Sequence, residues 1–459
     1  MHTLEELLAH WLPQQRWFAG KGSPITGVTL EAESVLVPGD PELRHLVVAV
    51  RQDSGVDRYQ VLLGLRGGEE LPDRLRHASL GGYTPGAGGS AGTGPVQVYD
   101  ALHDAELTSA LLAGLAAGAD LGGLRLRHIA GVEIDTGHTS LVISGEQSNT
   151  SLMFGDAYVL KVFRRLWPGL NPDLELTSVL SERGSPYVAR PFGWIEGSVA
   201  GTPTTCALLQ QFLVSATDGW LLAATSVRDL YSTPDLPPGQ AGGDFAGEAA
   251  RLGAATAAVH RKLAEALPTG TVGDAELAEL ADSMNQRLTR AAASVPGLAP
   301  YTDGLRAAFK ALTELDEPMP VQRVHGDYHL GQVVRTDAGW VLLDFEGEPA
   351  KPVPERTQLS NPLRDVAGML RSFDYAARYQ LVGHPYAEEL AAPAREWAQH
   401  NRTAFCAGYA AAGGTDPMAH QAVLRAFEFD KAVYEVMYEA HNRPSWLGIP
   451  LSSIAALVG

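Results

Sequence analysis

Cysteine and long apolar runs are both scarce in this sequence. Cys206 and Cys406 are the only two cysteines among 459 residues, so neither a disulfide framework nor a cysteine-type metal spacing is indicated. The most apolar stretch, "SALLAGLAAGADLGGL", reaches Asp120 too soon to cross a bilayer. The N-terminus is acidic and amphipathic, unlike a signal peptide. We therefore expect a reduced, cytoplasmic protein without a membrane span.

Positive charge is also in short supply. The chain has 35 Lys and Arg against 53 Asp and Glu, a formal net charge of -18 at pH 7. Contacts to nucleic-acid phosphates need clustered Lys and Arg, so we expect no nucleic-acid partner. No Walker A sequence occurs, which excludes a P-loop nucleotide site. The negative charge does not exclude small-molecule ligands, including anionic ligands whose charge a metal ion neutralises.

What the chain does contain is the composition of a globular protein, 45% hydrophobic and 19% charged. Its length predicts two or three domains. A helix at Leu4–Trp11 is followed by period-two runs, "VTLEAESVLV", "HLVVAVRQ" and "RYQVLLGL", which predict antiparallel strands. The Gly-rich segment 81–95 predicts a linker or hairpin tip. "GVEIDTG" and several later runs also predict strands, and helices dominate from about Asp218.

We accordingly divide the chain into a cap subdomain (1–95), an intermediate, nucleotide-binding subdomain (96–213) and a mainly helical lobe (214–459). The order of these parts, first β-rich and then helical, predicts an α+β fold. An acidic hairpin interrupts the helices of the last part.

That hairpin lies in "RVHGDYHLGQVVRTDAGWVLLDFEGEP", residues 323–349. "QVVR" turns and returns as "WVLLDF", which brings Asp344 back towards Gln332 and Asp327. Phosphoryl transfer needs a carboxylate that orients the acceptor hydroxyl and hard oxygen ligands for Mg²⁺. We predict Asp327 as the catalytic carboxylate, and Gln332, Asp344 and Glu346 as metal ligands.

A metal-dependent hydrolase is the rival reading of the same residues. His325, Asp327 and His329 alternate, and on a strand they would share one face that suits Zn²⁺. No further His cluster completes a metal shell in the sequence. A third alternative is a polar hairpin without chemistry.

A second candidate segment is "SGEQSNTSLMFGDAYVLKVFRRL". Gln147, Ser148 and Ser151 at its turn offer small polar groups to phosphates. Lys161 follows inside an apolar strand, where a lysine needs a partner. Glu175, at the start of the next predicted helix, is our candidate for that partner. The segment predicts a site for the phosphates of ATP.

The last candidate segment is "FDKAVYEVMYEAHNRPSWLGIPL". On a helix, Lys431, Glu435 and Tyr438 share one stripe, and Trp446 follows. A surface Lys–Glu pair is one interpretation of the stripe. A sugar site, with donors, acceptors and aromatic rings, is the interpretation that we favour.

"HGDYHLGQ" with "LLDFE" resembles the catalytic and metal-binding segment of the kinase-like phosphotransferases, the superfamily of aminoglycoside and small-molecule kinases. Gln332 stands where that superfamily usually has Asn. The resemblance implies ATP and Mg²⁺ as cofactors and a bilobal, eukaryotic-kinase-like fold. It also implies a hinge at Gln211, Phe212 and Leu213, whose backbone groups meet adenine.

Within that superfamily, "WLPQQRWFAGKG", "RVHGDYHLGQVV", "PLRDVAGMLRSFDYAA" and "KAVYEVMYEAHNRPSWLGIPL" resemble the actinobacterial-type maltokinases over nearly the whole chain. This resemblance implies ATP-dependent phosphorylation of maltose to maltose 1-phosphate for α-glucan and glycogen synthesis. It implies an N-terminal α/β cap and a functional link to trehalose- and maltose-converting enzymes. The implied acceptor residues are His325, Lys431, Glu435, Tyr438 and Trp446.

Other acceptors and one other class of protein stay open. Glucosamine kinases resemble this chain through the catalytic hairpin and the cap, and an amino sugar would need extra acidic contacts. Another sugar or an aminoglycoside is a further alternative. A catalytically silent, ATP-binding regulator is a different class, against which the presence of Lys161, Asp327 and Asp344 argues.

Overall fold

The computed structural model describes residues 3–83, 96–143, 148–348 and 351–458. Its contacts group the chain into two compact units. The first comprises the described residues up to Ser178, Ala189–Val214 and a short segment ending at Val353; the second comprises Val179–Val188, Ser215–Glu348 and the described residues from Pro354 onward. Most of the Gly-rich segment (84–95) and Gln147 lie outside the described residues.

The first unit contains two antiparallel sheets. The strands of one, in the spatial order β1-β2-β3-β5-β4, are β1 (Gly27–Val37), β2 (Glu42–Gln52), β3 (Gly55–Gly67), β4 (Ser79–Tyr83) and β5 (Val96–Asp100). The strands of the other, in the order β6-β7-β11-β12-β10-β9-β8, are β6 (Asp120–Leu121), β7 (Leu124–His128), β8 (Ser140–Ile143), β9 (Thr150–Phe154), β10 (Tyr158–Val162), β11 (Pro191–Val199) and β12 (Thr202–Gln211). The helices here are α1 (Leu4–Trp11), α2 (Ala105–Ala117) and the start of α3 (Pro172–Glu182).

Local sequence explains the ends of α1. The Thr3 hydroxyl accepts the Glu6 N–H at 3.2 Å, and the Glu6 carboxylate accepts the Thr3 N–H at 2.9 Å, which forms a capping box. The buried face of the helix carries Leu4, Leu8 and Trp11. The helix therefore begins and ends where the sequence predicted.

The two sheets of the first unit share one apolar core. Leu43 and Tyr99 from the five-stranded sheet belong to the same buried cluster as Leu126, Leu152 and Leu160 from the seven-stranded sheet. The predicted division near residue 95 thus has core residues of one cluster on both of its sides, and the boundaries at 95 and 213 stay predictions.

The strands predicted near the N-terminus are confirmed as β1, β2 and β3. The strand predicted for "GVEIDTG", residues 131–137, is wrong, because this segment forms neither helix nor strand. None of its residues is fully buried, although Ile134 packs against the core from its partly exposed position.

The second unit is mainly helical. Its helices are α4 (Gly219–Tyr231), α5 (Ala246–Ala266), α6 (Asp274–Ser294), α7 (Thr302–Lys310), α8 (Val353–Arg356), α9 (Leu363–Arg378), α10 (Ala387–Ala411), α11 (Gln421–Asn442) and α12 (Gly448–Val458). Two small sheets accompany them: β13 (Thr217–Asp218) with β16 (Val333–Thr336) and β17 (Gly339–Leu342), and β14 (Gly270–Val272) with β15 (Met319–Val321). The predicted α+β class is confirmed.

Helix α9 forms the centre of the second unit. Nearly all of its side chains are buried, including the charged Asp365, Arg371 and Asp374. It packs against α4, α10 and α11. A helix buried on all sides must pair its polar groups internally, and those pairs are part of the candidate site. Within the described ranges, none of the helices has the length and apolar character that a membrane crossing requires.

Candidate active site

The predicted acidic hairpin is formed by β16 and β17. Val333 pairs with Leu342 and Thr336 with Gly339, so Gln332 and Asp344 lie just beyond the open end. The Gln332 amide nitrogen donates a hydrogen bond to Asp344 Oδ2 at 3.1 Å. The structure therefore brings these two predicted ligands together, as a two-residue turn requires.

Oxygen donors collect at this end of the hairpin. Asp344 has a left-handed backbone with φ of 63°, a conformation that Asp tolerates better than most residues. Carboxylate oxygens of Asp344 and Glu346 lie within 4.8 Å of each other, and Arg356 Nη1 is 3.7 Å from Glu346 Oε2. Because the amide nitrogen of Gln332 donates to Asp344, the amide oxygen of Gln332 is left for another partner. This donor set fits a hard cation such as Mg²⁺.

Asp327 lies in the loop that precedes the hairpin. Residues 323–329 form no strand, so His325, Asp327 and His329 do not have the shared strand face that the hydrolase alternative needs. His325 is instead buried, with its ring between Tyr328 and Phe345 and its Nε2–H donating to the Leu343 carbonyl at 2.8 Å. Its contacts join loop and hairpin, and its predicted role towards substrate stays a prediction.

Asp365 on α9 anchors the backbone of this loop. Its carboxylate accepts the N–H groups of His325 and Gly326 at 2.7 and 2.9 Å, and pairs with His260 Nε2 at 3.0 Å. Gly368 permits the close approach, since a Cβ there would lie 2.5 Å from the Tyr328 carbonyl oxygen. Asp365 is not among the predicted site residues, although an Asp between the apolar residues of "LRDVAGML" is a sequence signal that points to it.

Lys431 contacts Asp327 directly. Its Nζ lies 3.0 Å from Asp327 Oδ1. The alternative interpretation of the stripe, a surface pair of Lys431 with Glu435, does not describe the structure, because Glu435 is buried on α11 and accepts two hydrogen bonds from the Arg371 guanidinium at 3.0 and 2.7 Å. Lys431 and Glu435 each have an oppositely charged partner from another element. The favoured interpretation, a sugar site, stays a prediction.

The charges around Asp327 determine its protonation. Burial by itself would raise the pKa of Asp327, but the ammonium of Lys431 and the nearby His329 outweigh burial and lower the pKa to about 2. Burial would lower the pKa of Lys431, whereas the carboxylates of Asp327 and Glu435 raise it above its usual value. Burial lowers the pKa of His329. At neutral pH we therefore expect charged Asp327 and Lys431 beside a neutral His329.

Aromatic rings continue the stripe on α11. Tyr434 and Tyr438 are 37% and 41% exposed, and their ring centroids are 6.3 Å apart in a stacked arrangement. Lys431 lies 5.1 Å from the Tyr434 ring, and Arg443 lies 4.3 Å from the ring of Trp446. The polar end of the stripe thus adjoins a partly exposed aromatic surface.

In the first unit, Lys161 occupies the middle of β10. It is 5% exposed and directly opposite Ser151 on β9, so these two side chains share one face of the sheet. Its Nζ donates to Asp173 Oδ2 at 3.0 Å. Asp173 lies two positions before Glu175 on α3, and this ion pair adds a carboxylate that the sequence did not single out. A role for Glu175 stays a prediction.

The predicted hinge follows β12. The Gln211 N–H donates to the Arg190 carbonyl at 2.8 Å, and the Phe212 N–H donates to the Ala157 carbonyl at 2.9 Å. These two donors therefore already have protein partners, and the adenine contacts of Gln211, Phe212 and Leu213 stay predictions. Of the serines predicted to contact phosphate, Ser148 is exposed, and Ser151, on β9, is buried.

Comparison with known proteins identifies the family. Residues 140–412 match the family described as "Phosphotransferase enzyme family". The chain belongs to that family. Residues 11–104 match the "Maltokinase N-terminal cap domain", which confirms the resemblance inferred from the N-terminal motif. This phosphotransferase is therefore an enzyme, and the hydrolase and silent-regulator alternatives are set aside.

Two of the relatives are glucosamine kinases. The one from Streptacidiphilus jiangxiensis is 29% identical over 338 residues, 70% of this chain and 74% of its own. The one from Mycolicibacterium smegmatis is 27% identical over 325 residues, 69% of this chain and 79% of its own. A solved structure of a glucosamine kinase in complex with glucosamine, ADP and inorganic phosphate matches with a TM-score of 0.68 at 25% identity, and the match covers 100% of both chains.

Proposed function

We propose that this phosphotransferase transfers the terminal phosphoryl group of ATP to maltose and forms maltose 1-phosphate. The observation that carries the choice of a neutral sugar is the ion pair of Asp327 with Lys431, at 3.0 Å. The cap match supports the same choice, and the names of the relatives support glucosamine as the second candidate.

The nucleotide is assigned to residues of the first unit. Lys161 supplies a buried cation for the phosphates, and Asp173 orients that cation through its ion pair. Ser148 and Ser151 offer hydroxyl groups at the turn and on β9, and Gln147 precedes them outside the described residues. Adenine contacts are assigned to the backbone carbonyl groups of Gln211 and Phe212 and to Leu213.

Mg²⁺ is assigned to the oxygen donors at the open end of the hairpin, Gln332, Asp344 and Glu346. When bound, the ion supplies charge neutralisation for the phosphates of the nucleotide. The chain itself holds these donors in position through the β16–β17 pairing and the hydrogen bond between Gln332 and Asp344.

Asp327 acts on the acceptor hydroxyl. A carboxylate with a pKa of about 2 is a weak base, so its main contribution is to orient the hydroxyl oxygen towards phosphorus. In a loose phosphoryl-transfer transition state the hydroxyl proton leaves late, and Asp327 accepts it as the new O–P bond forms and the bond to ADP breaks. Lys431 keeps Asp327 ionised until that proton is transferred.

The charges near Asp327 favour a neutral acceptor over an amino sugar. Lys431 and Arg371 already neutralise the carboxylates of Asp327 and Glu435, so neither carboxylate is left with a net charge for an ammonium group. Two like charges about 4 Å apart repel by roughly 4 kcal/mol near a protein surface. The exposed rings of Tyr434 and Tyr438, with Trp446, offer apolar surface that suits the C–H faces of a second glucosyl ring.

An acceptor panel tests this function. Maltose, glucose and glucosamine are each incubated with ATP and Mg²⁺, kcat/KM is measured, and phosphorus NMR assigns the phosphorylated oxygen. We expect maltose to have the highest kcat/KM and the phosphate to be on the anomeric oxygen. Asp327→Asn is the control and should lose about 10²–10⁴ in kcat. A preference for glucosamine, with phosphate on O6, would overturn the assignment of maltose but not the phosphotransferase activity.

A further inference from the structure

The cap sheet and the strand that carries Lys161 are continuous in the first unit. Residues 163–166 follow β10 and pair with the part of β3 that β5 does not cover: the Gln60 N–H donates to the Arg164 carbonyl at 2.9 Å, and the Leu166 N–H donates to the Arg58 carbonyl at 2.8 Å. The Gln60 side chain donates to the Phe163 carbonyl at 2.7 Å. The backbone immediately after Lys161 is therefore fixed by the cap.

The guanidinium of Arg164 extends this connection to the turn that contains Ser148, which precedes Lys161 in the sequence. Arg164 is fully buried, and its Nη2 forms an ion pair with Asp100 at the end of β5. The Cζ atom of Arg164 lies 4.7 Å from the ring centroid of Trp17, another cap residue. Its Nε donates to Thr150 Oγ1 at 2.8 Å. Thr150 begins β9, directly after the turn that contains Ser148, and is one residue before Ser151.

We propose that Arg164 is a positioning residue through which the cap sets the phosphate-binding turn. The planar guanidinium makes two directed contacts, one to a cap carboxylate and one to Thr150, so that turn and cap keep a fixed distance. Thr150 pairs with Val162 across β9 and β10, next to the pair of Ser151 with Lys161. Displacement of Thr150 would therefore also displace Ser151, whose side chain shares a face of the sheet with Lys161. The inference rests on the proposed binding of ATP and assigns to the cap a role in nucleotide affinity.

The most specific variant removes one hydrogen-bond acceptor, Thr150 Oγ1, and changes little else. Thr150→Val keeps the shape and the strand preference of the side chain but removes Oγ1, and Thr150→Ser restores a hydroxyl. We expect Thr150→Val to weaken ADP binding about tenfold and to raise the KM for ATP, with the acceptor KM unchanged. Thr150→Ser should bind ADP within about twofold of the parent chain. Asp100→Asn, which weakens the cap side of the contact, should shift ADP affinity in the same direction.

Asp57→Asn is the matched control. Asp57 pairs with Arg165, the next residue along, and so joins the cap to the same segment without contact to Thr150. It should lower Tm but leave ADP affinity unchanged.

Calorimetric titration of ADP with Mg²⁺ into the full chain, together with Tm and steady-state kinetics, separates the outcomes. Loss of Tm in Thr150→Val without loss of ADP affinity would overturn the inference, as would equal increases in both KM values. Equal weakening by Asp57→Asn would overturn the route through Thr150. If the parent chain binds no ADP, the proposed function fails first and the inference fails with it.

Discussion

At the scale of single residues, the proposed catalytic role of Asp327 depends on the charges around it. Lys431 holds this carboxylate in its charged form in a site where burial favours the neutral form. The same contact places a cation at the proposed acceptor site, so we expect this one ion pair to affect both the rate of the reaction and the choice of acceptor.

Lys431→Met should change the pH dependence of the reaction. With Lys431 present, the pKa of Asp327 is about 2, so Asp327 contributes no acid limb to kcat/KM above about pH 4. Without Lys431, burial still favours the protonated carboxyl and nothing comparable opposes it. The pKa of Asp327 therefore rises. As the pH is lowered, Lys431→Met should lose activity at a higher pH than the parent chain does. The measurement is kcat/KM for maltose from pH 4 to 9.

Two further variants make this pH measurement specific. Lys431→Arg keeps the positive charge and should keep the parent profile. Because removal of Lys431 also raises the pKa of His329, both enzymes are compared again in a His329→Asn background. An unchanged acid limb in Lys431→Met would contradict the electrostatic role of the lysine.

At the scale of elements, the helices of the second unit are positioned by close backbone contacts as well as by ion pairs. Helices α5 and α10 cross at two glycines: a Cβ on Gly253 would lie 2.2 Å from the Phe405 carbonyl oxygen, and one on Gly408 would lie 2.0 Å from the Ala250 carbonyl oxygen. Neither atom is the end of a flexible side chain, so any substitution must separate the helices.

Gly408→Ala should therefore destabilise the protein, although alanine is the better helix former by about 1 kcal/mol. We expect a net loss of roughly 1–3 kcal/mol from overpacking, measured as a lower Tm or denaturant midpoint. Gly247→Ala is the control, since Gly247 is also in α5 and a Cβ there would be 3.7 Å from its nearest neighbour. It should be neutral or slightly stabilising. Equal effects of the two substitutions would argue against the close crossing.

At the scale of the whole molecule, the residues assigned to nucleotide and magnesium come from parts of the chain far apart in sequence. A ligand that binds only the folded chain stabilises it by an amount set by its concentration relative to Kd, about 2.7 kcal/mol at 100 times Kd. Thermal stability thus reports ligand binding without turnover.

We expect ATP to raise Tm, and Mg²⁺ to increase that rise. Asp344→Ala should retain the folded state but lose the contribution of Mg²⁺, because the substitution removes a carboxylate ligand and the hydrogen-bond partner of Gln332. Asp337→Ala is a matched control, since Asp337 is exposed at the tip of the same hairpin. A Mg²⁺ effect of equal size in Asp344→Ala and in the parent chain would show that Asp344 is not a ligand.

The sequence by itself determined the local features. Alternating residues specified β1, β2 and β3, and the run from Gln332 to Asp344 specified a hairpin with polar groups at its open end. Such features depend on neighbours within a few residues, so periodicity and turn chemistry are sufficient to predict them. The motifs of the catalytic stretch also indicated the family correctly.

Only the tertiary structure decided which charged groups are partners. Lys431 is 104 positions from Asp327, and Arg371 is 64 positions from Glu435, yet these residues form hydrogen-bonded ion pairs. Asp173 is 12 positions from Lys161, and the orientation of α3 brings its carboxylate to β10. A buried charge must take the partner that packing brings to it, and packing depends on the whole chain, so sequence spacing alone could not identify these pairs.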